Sequence, residues 1–291
     1  MAQMRHWHWH GLGAALLVLA VVVVSPMGAA KAATLDDIRA RKTVRIGVRA
    51  DAPPFSFTGP DGAPAGYMVE LCKAVVLQLT SELNIPDLAP DYVVVTGIDR
   101  LDAVAKGRVD LLCEATSATL RRRETVDYSI ATFVDGAGVV TTGTNLVSLQ
   151  SLAGQSIGVL AGTTTEEALR NSLENDGITA DVVTVATHND GITMLHARKI
   201  AAYFADRSIL VGLLRRESPD TGLALGDVYL SFEPYALALP RGDEEFRLAV
   251  DRALSRIYRS GAMLALLDQT FGHNSLTKLE TMLYELSALP E

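Results

Sequence analysis

Cysteine is almost missing from this chain, with two in 291 residues, Cys72 and Cys113. Histidine is sparse too, six in all, and His6, His8 and His10 fall within the first ten positions. A zinc centre needs three or four such ligands at short spacing, so neither a metal site nor a metal cofactor is expected. Basic charge is not in excess: 26 Lys and Arg against 34 Asp and Glu leave a formal net charge of −8. That balance excludes nucleic acid as a partner class, because phosphate binding requires a basic face. Beyond Val24 no apolar run approaches the roughly 20 residues of a membrane-spanning helix. No internal repeat is strong enough to suggest a solenoid. The 48% apolar and 21% charged shares are those of an ordinary globular chain.

What is present begins with an export signal. Arg5 and a His/Trp stretch precede an apolar run from Leu12 to Val24, then Ser25-Pro26 and the small residues Gly28 to Ala33. This is the three-part layout of a secretory signal peptide, with Ala30-x-Ala32 as the cleavage motif, so residues 1–32 are expected to be removed. No cysteine stands at the cleavage point, which leaves no lipid attachment site there. In an exported chain an even cysteine count suggests a disulfide. Cys72 lies on the apolar stripe of a helix and Cys113 ends an apolar strand, so both point inward. A Cys72–Cys113 bridge is expected and would stabilise by about 4 kcal/mol in the chain-entropy model. The alternative is a pair of buried thiols.

The mature chain alternates strands and helices. Thr43–Val48 reads as a strand, and Pro53-Pro54-Phe55 stiffens the loop after it. Met68, Leu71, Cys72, Val75, Val76, Leu79 and Leu83 recur at helical spacing. A strand over Tyr92–Thr96, a short helix from Asp99 to Lys106 and a strand over Val109–Cys113 follow. This β-α-β-α-β order implies a mostly parallel sheet covered by helices. A second unit has strands at Gln155–Leu160, Val182–Val185 and Ala201–Phe204, with helices at Thr163, Asp190–Ala197 and Arg207–Arg215. Tyr235–Pro240 reads as a returning strand, followed by helices to Phe271 and a tail helix over Leu276–Leu289.

The stretch from Val109 to Ser129 organises the rest. A short apolar strand gives way to Ala115-Thr116-Ser117-Ala118-Thr119, whose amides and hydroxyls suit a binding turn, and then to Arg121-Arg122-Arg123. A guanidinium fork beside free amides matches the two oxygens of a carboxylate. Taken alone, these residues equally fit a strand, a loop and a solvated basic helix start.

Val109-Asp110, Ser117, Thr119, Arg122 and Asp127-Tyr128-Ser129 fall in the order typical of the family 3 periplasmic solute-binding proteins, and this segment resembles their signature. The Pro53-Pro54-Phe55 and Gly66-Tyr67 elements are similar to the opening of the same family, and the likeness spans roughly residues 34–272. Glu114 departs from the pattern, because a small residue is usual there, and so does Leu120-Arg121. The resemblance implies an α/β fold of two lobes joined by two hinge strands, each lobe a mostly parallel sheet flanked by helices. Lobe one would span 33–137 and return over 236–272, lobe two 138–235, and a tail helix 273–291. Such clefts close on ligands by hinge motion.

The resemblance also implies a ligand set. Arg122 would clamp an α-carboxylate, with the amides at Thr163 and Thr164 opposing it from a helix N-terminus. Asp206, the backbone of Ala115 and the hydroxyl of Ser117 would hold the α-ammonium. Phe55, Phe57 and Tyr67 could wall the cleft or belong to the core. Arg49, Arg100 and His188 are similar to the trio of the glutamate/aspartate-binding branch, and their charge would suit a side-chain carboxylate. Glu114 leaves two outcomes open: repelling an acidic ligand, or pairing with Arg49 or Arg100 so that the pocket prefers a neutral or basic one.

The expected function is therefore that of a periplasmic receptor, a monomer, that captures an amino acid of acidic type and delivers it to a membrane ABC permease. No catalytic residue and no cofactor is expected. Two alternatives remain: an enzyme on the same scaffold, similar to cyclohexadienyl dehydratase, with Glu114 or His188 as its acid, and a ligand-sensing subunit that does not transport.

Overall fold

The computed structural model describes Met1 and residues 34–143, 148–218, 221–272 and 278–290. Apart from Met1, the expected signal peptide lies outside the described residues.

The chain opens with α1 (Thr34–Arg41), β1 (Thr43–Val48), β2 (Asp51–Ala52), β3 (Ser56–Thr58), β4 (Pro64–Ala65) and α2 (Tyr67–Glu82). β5 (Ala89–Val94), α3 (Arg100–Ala105), β6 (Leu111–Leu112), β7 (Val126–Asp135) and β8 (Ala137–Thr142) follow. Next come β9 (Ser156–Leu160), α4 (Thr164–Asn175), β10 (Asp181–Val185), α5 (His188–His196), β11 (Ala202–Asp206), α6 (Arg207–Leu214) and β12 (Leu223–Leu225). The chain ends with β13 (Glu233–Pro240), α7 (Glu244–Arg259), α8 (Ala262–Phe271) and α9 (Lys278–Ser287).

Two five-stranded sheets carry the two lobes, ordered β5-β1-β6-β13-β7 and β10-β9-β11-β8-β12. In each, the expected βαβ core is parallel: β1 pairs with β5 and β6, and β9 with β10 and β11. The remaining pairings are antiparallel, so the sheets are mixed. The reason is the crossing. β7 runs out of the first sheet and continues as β8 in the second, and β12 leads back through β13, so the crossing strands enter against the parallel grain. Gly136 makes the outward crossing possible, because a Cβ there would stand 2.4 Å from the Ser231 carbonyl oxygen of the return path.

Two elements differ from expectation for local reasons. β5 begins at Ala89 and contains Pro90, a residue tolerated because β5 is an edge strand. The expected strand Val109–Cys113 is regular only at Leu111–Leu112, although Asp110 and Cys113 still donate to the carbonyls of Arg45 and Gly47 at 2.8 Å. A small sheet of β2, β3 and β4 was not anticipated; it orders the loop around Pro53-Pro54.

Helix α7 lays Phe246, Ala249, Val250, Ala253, Leu254 and Ile257 on the core. Burying each of its larger apolar side chains contributes about 1.5–3 kcal/mol. Phe55, Tyr67, Phe133, Tyr235 and Phe271 form one aromatic cluster, with ring centroids 5.0–6.2 Å apart. Phe55 and Tyr67 are therefore core rather than cleft wall, and Phe57 lies beneath the Arg216 guanidinium at 4.3 Å. Cys72 and Cys113 are joined in a disulfide that ties α2 to the end of β6. The tail helix packs Tyr284 against Tyr258, and its hydroxyl donates to the carbonyl of Thr132 on β7 at 3.2 Å.

Candidate functional site

The strand ends of both sheets meet over one enclosed cavity. Arg49, Ala52, Arg100, Glu114 and Ala115 line it from the first lobe. Leu160, Thr163, Thr165, His188, Ala205, Asp206 and Ile209 line it from the second. Its volume is about 20 Å³, room for about one water molecule. The lobes are thus closed on each other, and admitting a small molecule requires them to part.

The first-lobe wall is built from charges. Arg49 and Arg100 are each 4% exposed and Glu114 is 1% exposed. Arg49 follows β1, and its Nε and Nη2 donate to Asp51 Oδ1 at 3.0 and 2.6 Å. Arg100 opens α3 and points back to Glu114, with Nε 3.1 Å from Oε1. The approach is off the N–H axis, so this buried Nε makes no hydrogen bond. Glu114 Oε2 also lies 4.0 Å from Arg49 Nη1. Burial pulls Arg100 below the usual arginine range while Glu114 pulls the other way; a guanidinium stays charged regardless.

His188 opens α5 with Thr187 as its capping residue, and its own amide donates across the cleft to Asp51 Oδ2 at 2.9 Å. Its Nδ1 lies 2.9 Å from the Tyr203 hydroxyl. Burial, reinforced by Arg49, lowers its pKa to about 3. The ring is therefore neutral near pH 7. This corrects the expectation that His188 adds positive charge to the pocket; it can offer a hydrogen bond only. Asp51 is pushed up by burial, but Arg49 and His188 together hold it below the usual carboxylate range.

The opposite wall is acidic. Asp206 ends β11 at the start of α6, yet its side chain does not cap that helix. It accepts instead from Thr165 Oγ1 at 2.8 Å and from the Tyr235 hydroxyl. Burial, then the neighbouring Glu233 and Asp135, raise its pKa to about 7. Asp135 is raised to about 6, chiefly by burial. Asp206, Asp135 and Glu233 have no basic partner among the described residues, which makes this a place where a cation would be welcome.

Thr163 caps α4, accepting from the Glu166 amide at 3.1 Å and donating to the Leu160 carbonyl at 2.8 Å. Thr164 and Ser117 face each other across the cleft mouth, hydroxyls 3.2 Å apart, and both donate to Glu233. These two sit in the outer groove with Thr119 and Arg121, not in the inner cavity. Arg122 lies in a 3-10 turn; its Nη1 donates to the Ser117 carbonyl at 2.9 Å, and it does not line the inner cavity. The closed cleft thus gathers Arg49, Arg100, Ala115, Thr163, His188 and Asp206, leaves Ser117 and Thr164 in the outer groove, and has Arg122 lining neither.

Asp51, Thr165, Asp135, Glu233 and Tyr235 were not singled out from sequence. In sequence Tyr235 reads only as a strand residue and Thr165 as part of a helix start; their roles depend on tertiary neighbours. Among the described residues no group of His, Cys, Asp and Glu could hold a metal ion, and no helix is long and apolar enough to cross a membrane.

Residues 44–273 match the bacterial extracellular solute-binding proteins, family 3. The chain belongs to that family. Among curated relatives of this solute-binding protein, the L-glutamate/L-aspartate-binding protein of Pseudomonas aeruginosa is 29% identical, covering 87% of this chain and 85% of the relative. The glutamate/aspartate import solute-binding protein of Escherichia coli is 26% identical, covering 89% and 86%. Among solved structures, the cysteine-binding protein of Campylobacter jejuni superposes with a TM-score of 0.74 at 20% identity, covering 86% of this chain and 98% of that one. That likeness supports the two-lobed fold and nothing about the ligand. The solute-binding role follows from the family, and the curated relatives named here are binding proteins.

Proposed function

We propose that this solute-binding protein captures a free α-amino acid of the glutamate/aspartate type between its lobes. One observation carries the reading: one enclosed cavity is lined by two buried guanidiniums from the first lobe and by the Asp206 carboxylate, which accepts only from hydroxyls among the described residues, from the second. That polarity complements a molecule with an ammonium and a distant carboxylate. On opening, Asp206 takes the α-ammonium with the Ala115 carbonyl and Ser117 hydroxyl. Arg122 takes the α-carboxylate together with the amides at Thr163 and Thr164, which begin α4 and carry the positive end of its dipole. Arg49, Arg100 and neutral His188 receive the side-chain end. The names of the two curated relatives agree with this assignment.

The finer expectations go with this reading. The lobes divide near residues 137 and 235, the signal peptide delivers a monomer to the periplasm, and a membrane ABC permease takes the ligand on. The names of the curated relatives, all binding proteins, favour a binder over an enzyme on the same scaffold. The test is thermal stability of the mature protein with each of the twenty amino acids. A ligand that binds only the folded state raises the melting temperature. Glutamate or aspartate should give the largest shift; no shift with any amino acid would overturn the proposal.

A further inference from the structure

We propose that Glu114 is the specificity-determining residue of the cleft: a resident carboxylate seated between Arg49 and Arg100, which an acidic guest has to displace before its own side chain can be read. This rests on the amino-acid reading above and goes beyond it. The Glu114 side chain points into the same cavity as Asp206, one oxygen 3.1 Å from Arg100 Nε and the other 4.0 Å from Arg49 Nη1. The Thr116 hydroxyl donates to it from its own loop. Arg49 is already held by Asp51 at 2.6 Å. Each guanidinium thus has a carboxylate beside it before any guest arrives.

The contact with Arg100 is nevertheless incomplete. Its Nε makes no hydrogen bond, and its Nη2 reaches only the Gly162 carbonyl, at 3.4 Å. Glu114 therefore balances the charge of Arg100 without satisfying its donors. A guest carboxylate would satisfy them, but would meet Glu114 as a like charge in a closed space, which opposes its binding. A guest amide meets no such conflict: its carbonyl can accept from Arg100 while its NH2 donates to Glu114. Glu114 accordingly narrows the preference for acid over amide that two arginines would otherwise impose.

Titration calorimetry of the mature wild type and Glu114→Gln with glutamate, aspartate, glutamine and asparagine tests this. The ratio of amide Kd to acid Kd should rise by about tenfold or more in Glu114→Gln, one decade being the equivalent of about 1.4 kcal/mol. The empty variant should melt lower, because Arg100 is left unpaired, and should regain more melting temperature with glutamate than the wild type does. Glu114→Ala is the second variant should Glu114→Gln not fold, and the same rise is expected. A ratio unchanged within about twofold overturns the role of Glu114 while leaving the amino-acid reading intact. No binding of any of the four to folded wild type or variant overturns the amino-acid reading, and this inference with it.

Discussion

The hydroxyl of Tyr235, on the strand that returns to the first lobe, donates to the carboxylate of Asp206 at the end of β11 in the second. Asp135 lies 3.4 Å from the same hydroxyl, and Thr165 donates to Asp206 from α4. The group assigned to the ligand's ammonium is thus fastened to the hinge, and its charge is linked to the state of the lobes.

That linkage predicts a pH dependence. The folded-state pKa values of Asp206 and Asp135, about 7 and about 6, lie above the unfolded carboxylate value, which is about 3.9. Between those values these two groups bind more protons in the folded protein, so their contribution to the stability of the empty protein should fall as pH rises from about 4 to about 7, while His188, depressed to about 3, contributes the opposite slope below about pH 6.5. Asp206→Asn should flatten that slope in thermal melts.

Ligand binding should show the opposite sign. An ammonium favours ionised Asp206, so binding at pH 7 should release a fraction of a proton, and affinity should weaken as pH drops from about 8 to about 6. Calorimetry in two buffers of different ionisation enthalpy measures the release. Asp206→Asn should abolish both the release and most of the affinity.

Arg100→Met removes a buried charge that an acidic side chain would pair with. Affinity for glutamate should drop by about 2–5 kcal/mol, with a smaller loss for glutamine. Equal losses for both would place Arg100 outside the side-chain end of the site.

Asp110 belongs to the segment that suggested the family, yet it has no part in the cleft. It is buried, receives Arg41 and Arg45 at 2.7 Å each, and accepts the Arg45 amide at 2.8 Å. Asp110→Ala should lower stability by about 3–5 kcal/mol. Ligand affinity of the folded fraction should stay unchanged, as denaturant melts and calorimetry would show.

Asp110 shows why the fold was more legible than the site. The Val109–Ser129 pattern fixes local structure: Asp110 clamps β1, and Ser129 accepts the Leu237 amide at 3.0 Å from β13. Such contacts recur at fixed positions within strands, so an ordered motif exposes them. Arg49, Arg100 and His188 stand out in sequence through their likeness to the glutamate/aspartate-binding branch, and the fold brings all three to one cavity. What sequence could not supply was their electrical state. His188 is neutral because it is buried against Arg49, and Asp206 is raised by burial and then by Glu233 and Asp135, residues distant from it in the chain. The pairing of Glu114 with Arg100, one of two open outcomes, likewise required knowing that α3 turns toward β6.

The most direct test of the central claim is calorimetric titration of the mature wild-type protein with glutamate near pH 7, beside Asp206→Asn. The account predicts a single site that binds glutamate in the wild type and is lost in the variant, with both proteins folded. Glutamate bound equally well by Asp206→Asn, or no heat of binding from folded wild type, would contradict it.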